Sequence, residues 1–194
     1  TLSGLKKAGP KEGLRAALEE AVVRAAEADA IHAELRGRFL LGRSYEDWGE
    51  FAQAEEWFAS GIARAEAAGL PWAPYGFEAR WQLAWIHLVR GEWERALGLL
   101  SVEGQPPPPI PRALLTAVRL QILQHRGDDV GNRVAGLRPF WRREGAVAIH
   151  AAAIEMVAAG RSHDAAAAVA SYDEAVAVLS GIWHEWFSAR IRLA

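Results

Sequence analysis

A chain of 194 residues with a formal charge of −2 and a pI near 6.3 can bury a sizeable core, and it carries no overall field that would draw it to nucleic acid or an acidic membrane. The absence of Cys excludes disulfides, thiol catalysis and thiolate metal sites and fits a reducing compartment, so a cytoplasmic location is expected. Ala and Leu dominate, only Thr1, Thr116 and Asn132 represent their residue types, and no stretch alternates apolar and polar for long, which predicts an all-α fold.

Lys6, Lys7 and Lys11 are followed by no apolar run, so the start does not read as a signal peptide. The chain opens with Thr, and a piece of a longer protein is expected. Over 11–28, Leu14, Leu18, Val22 and Ala25 share a stripe, with Glu19, Glu20, Arg24 and Glu27 away from it, and Gly9-Pro10 suits a helix start. This amphipathic helix reads as the second of a pair whose first is missing.

Segments 30–48 and 50–68 read as two helices back to back. Leu41, Gly42 and Tyr45 lie on one face, Trp48-Gly49-Glu50 supplies a turn with a residue free to take positive φ, and Ala54, Phe58 and Gly61 lie on the facing side of the next helix. Gly69 with Pro71 and Pro74 ends that pair. Around Gly91, Leu83 and Ala84 stand where Leu41 and Gly42 stood, His87 replaces Tyr45, and Ala96 and Leu100 match Ala54 and Phe58.

Pro106 to Pro109 with Pro111 predict a stiff extended connector before a helix over 112–126. With Gly127 as the turn, Leu123 takes the aromatic position, whereas Leu120 and Asn132 stand where small residues belong, so the third pair departs from the pattern. A helix with Val130, Val134 and Leu137 is expected to kink or end at Pro139. The fourth pair is expected over 146–159 and 163–180 with Gly160 as its turn and Ala153, Met156, Ala165 and Val169 at the contact positions. The four turn glycines are then 42, 36 and 33 residues apart. Another helix is expected from Trp183 onward. The 146–159 window, interrupted by His150 and Glu155, is too short to span a bilayer.

The Leu-Gly pair, the aromatic three residues later, the inter-helix Gly and the Ala and aromatic of the second helix together resemble a tetratricopeptide repeat. The resemblance implies a right-handed α-solenoid of helix hairpins occupying 1–194 as one repeat domain of about four pairs with partial terminal repeats. Segments LAWIHLVRGEWERALGLL, FWRREGAVAIHAAAIEMVAAGR and SYDEAVAVLSGIWHEWFSARIRLA also resemble the helical repeat region of large ATP-binding LuxR-type bacterial transcriptional regulators. That resemblance implies a sensor and interaction region whose ATP and DNA sites lie outside these residues. The Arg-over-Lys bias, attributable to GC-rich coding, agrees with a bacterial source.

No phosphate loop, HExxH, GxSxG or CxxC occurs, and no two of the six His pair at helical spacing, so neither catalysis, cofactor nor metal is expected. Arg126-Gly127-Asp128 is explained by a repeat turn. Arg138, Arg142 and Arg143, with Phe140 and Trp141 interleaved, form the one local basic-aromatic cluster, short of a nucleic-acid face and read as a solvated helix end. Of the nine Trp, Trp48 and Trp93 flank turns and are assigned to packing. By analogy with the reference pair, Arg36, Phe39, Arg43, Trp81, Trp85, Gln121, Gln124 and His150 line the concave side. Aromatics with Arg there suit a protein or peptide segment, or a small effector. The alternative is that Trp81 and Trp85 simply fill the interior. A stand-alone scaffold or adaptor is the competing class, although a carboxylate clamp resembling that of chaperone adaptors lacks its Asn and Lys here. No direct nucleic-acid contact and no membrane partner is expected, and self-association is left open.

Overall fold

The computed structural model describes residues 11–100 and 106–179, which are all-α: nine α-helices and one 3-10 turn, with no strand among the described residues. They fall into two compact units, described over 11–100 and 106–179. No helix among them is long and apolar enough to cross a membrane. The expected start at Gly9-Pro10 and the helix expected from Trp183 lie outside the described residues.

Unit one holds α1 (Lys11–Glu27), α2 (Ile31–Glu46), α3 (Phe51–Ala67), α4 (Pro74–Val89) and α5 (Trp93–Leu99). Each packs on the next, and α2 also touches α4, so the first helices of successive hairpins share a layer. The stripe expected on α1 is the one that packs, with Leu18, Val22 and Ala25 buried and Leu14 half-buried. Leu41, Ala54 and Phe58 have no exposed surface, and Ile62, Leu83 and Ile86 join Ala54 and Phe58 in one cluster. Full burial of a side chain the size of Phe or Leu contributes about 1.5–3 kcal/mol, so these few positions carry much of the hairpin's stability. Three close approaches depend on glycine. A Cβ at Gly42 would overlap the Phe58 ring, one at Gly37 would come within 2.6 Å of Val22 Cγ2, and one at Gly76 within 2.6 Å of Ala65 Cβ.

One closure recurs at six helix ends. Ala30, Glu50, Leu70, Glu92, Asp128 and Asp164 each donate a backbone N–H to the carbonyl five residues back, at 2.8–3.1 Å. The residue just before each of these donors has positive φ: Asp29, Gly49, Gly69, Gly91, Gly127 and His163. This is the Schellman closure, which satisfies carbonyls that the helix leaves without partners.

Unit two holds α6 (Pro109–His125), α7 (Gly131–Ala135), the 3-10 turn Arg138–Phe140, α8 (Gly145–Arg161) and α9 (Ala165–Val178). Helix α8 is central, touching α6, α7, the 3-10 turn and α9. Every residue from Ala146 to Ala152 is buried, which its small side chains permit on more than one face. The irregular third pair is a full helix followed by the five-residue stub α7, and Val130, Val134 and Leu137 are its buried anchors.

Two expectations are corrected. Pro109 and Pro111 are not part of an extended connector but lie in the first turn of α6, where the N–H that Pro lacks has no intrahelical acceptor in any case. The fourth turn is not at Gly160, which is helical, but at His163, and the turn-to-turn interval from Gly127 then equals that from Gly91 to Gly127. The contact face of α9 shifts with it. Ala165 and Val169 are exposed, whereas Ala168, Tyr172 and Ala175 point inward with the spacing of Ala54, Phe58 and Gly61. Gly42, Ala54, Ala84 and Ala96 are buried as expected, and Ala153 is half-buried.

Candidate functional site

The residues expected to line a groove divide between the units. In unit one, Trp81 is 8% exposed and belongs to the interior, Phe39, Arg43 and Trp85 are half-buried, and Arg36 is exposed. Phe39 packs between Phe58 and Tyr75, each with a ring centroid 5.9 Å away, and Arg43 pairs with Glu46 and Asp47. In unit two, Gln121, Gln124 and His150 are all buried. A His150 ring nitrogen, Nδ1, lies 3.0 Å from Gln121 Oε1, and Gln124 Nε2 donates to the Ile154 carbonyl at 2.7 Å, tying α6 to α8. Trp81, Gln121, Gln124 and His150, expected to line the concave side, are thus buried, and for Trp81 the burial favours the alternative reading as interior filling. Trp48, assigned to packing, is 64% exposed at its turn.

Polar side chains in unit one mostly join helices. Arg15 on α1 donates to Ser44 and Glu50, and its guanidinium lies 3.8 Å from the Tyr45 ring centroid. Glu34 on α2 is buried and accepts from Arg38 on α2 and Arg64 on α3. Burial alone would raise the Glu34 pKa, but the hydrogen bonds from Arg38 and Arg64 overcome it and hold the carboxyl below its ordinary value. His87, in the place of Tyr45, meets Glu92 at 2.6 Å through Nδ1, and that contact lowers the Glu92 pKa. Among the described residues no group of three or more His, Asp or Glu could hold a metal ion.

An open cavity lies elsewhere, in unit two. Pro139 sits in the 3-10 turn and commits the chain to a tight corner after α7. Trp141, 2% exposed, anchors that corner, while Arg138 reaches Glu155 and Glu174 with its guanidinium 5.1 Å from the Trp141 ring centroid. Glu144, in extended backbone, then caps α8 by accepting from Ala146 N at 3.2 Å. The corner and the end of α9 enclose a cavity of about 270 Å³ lined by Trp141, Arg142, Arg143, Glu144, Gly145, Val178 and Leu179. The Nε1 of Trp141 is itself buried and has no hydrogen-bond partner.

The sequence marks this place only as a basic-aromatic cluster. Arg142 and Arg143 are solvated as expected, but they follow a 3-10 corner, and the neighbouring indole is buried. Glu144, Gly145, Val178 and Leu179 were missed, because nothing in their spacing announces that the end of α9 returns to the start of α8.

Comparison with protein-family models, with curated proteins and with solved structures returns no match.

Proposed function

We propose that this chain is a non-catalytic binding domain of tetratricopeptide-like helix hairpins, and that the cavity between Trp141 and Leu179 is its seat for a small effector. The observation that carries the reading is the open cavity of about 270 Å³ that Arg142 and Arg143, which make no ion pair among the described residues, line together with Trp141, Glu144, Gly145, Val178 and Leu179. In the right-handed solenoid we infer for the chain, the repeat character is supported by the shared spacing of Ala54, Phe58 and Gly61 with Ala168, Tyr172 and Ala175, and by the six common helix closures.

The wider role we propose is that of the cytoplasmic sensor region of a LuxR-type bacterial transcriptional regulator. The likeness of the segments around Trp85, Trp141 and Tyr172 to such regions supports it, and the nucleotide and DNA sites would then lie in other parts of that protein. The test of the cavity is a screen of small neutral, cationic and anionic compounds against the ¹⁵N-labelled chain. The indole N–H signal of Trp141 is assigned by its loss in Trp141→Phe. Some compounds should shift that signal selectively among the indole resonances; if none does, the cavity is no ligand seat.

A further inference from the structure

We draw no further inference here: the strongest candidate, the exposed aromatic patch at the turn between α2 and α3 where Trp48 and Phe51 reach solvent, carries nothing because nothing in the structure shows what covers it.

Discussion

Gly42 lies so close to Phe58 that a single added methyl group would overlap the aromatic ring. The contact joins α2 to α3 at their crossing, and Phe58 has no exposed surface through which it could retreat. Gly42→Leu should therefore destabilise the fold by about 1–3 kcal/mol through overpacking, with Gly42→Ala in the same direction and smaller. Urea unfolding followed by far-UV circular dichroism measures both, and a neutral Gly42→Leu would contradict the packing described.

Positive φ at His163 places a branched side chain where glycine stands at four of the six closures. The left-handed conformation costs an L-residue about 1–2 kcal/mol, and part of any gain from glycine is returned through its freer unfolded chain. His163→Gly is expected to raise stability by about 0.5–1 kcal/mol. At Gly91, where a Cβ would meet no atom within 4 Å, alanine should lower it by about 1 kcal/mol through conformation alone. Alanine at the equally uncrowded Gly98, inside α5, should instead raise it. Thermal melts of the three variants separate backbone conformation from space.

Glu34 receives Arg38 on one carboxylate oxygen and Arg64 on the other, both from within 2.9 Å. Glu34→Gln should cost about 2 kcal/mol at neutral pH, since charge-assisted hydrogen bonds are lost at a buried position. The folded pKa is lowered, so this stabilisation is complete above the unfolded carboxylate value of about 4.3 and is lost as pH falls through the folded value. Unfolding free energies collected from neutral pH down through that window should fall more steeply for the native chain than for Glu34→Gln. Parallel curves would contradict the coupling.

Trp81 is buried and Trp85, four residues on, is half-buried. Trp81→Ala should cost about 3–5 kcal/mol, as large-to-small core changes do, and Trp85→Ala clearly less. Denaturant midpoints of the two variants check this; equal losses, or a neutral Trp81→Ala, would return Trp81 to the surface.

Local chemistry made most of the helices legible in the sequence. The stripe on α1, the small residue of one helix facing the aromatic of the next, and the glycines at Gly49, Gly69, Gly91 and Gly127 are properties of residues near one another in the chain, where period and backbone freedom decide the outcome. The fourth turn escaped because Gly160 looked like the turn residue while His163 took the left-handed conformation, and packing of Tyr172 and Ala175 outweighed that local preference. Which face of α4 is buried, and so the place of Trp81, was open until the helices were brought together, because an apolar stripe reads alike whether it covers a groove or fills a core. The candidate site depended on tertiary structure most of all. Residues 141–145 meet Val178 and Leu179 only because α8 and α9 fold back on each other, and the missing acceptor of Trp141 Nε1 exists only once its ring is buried.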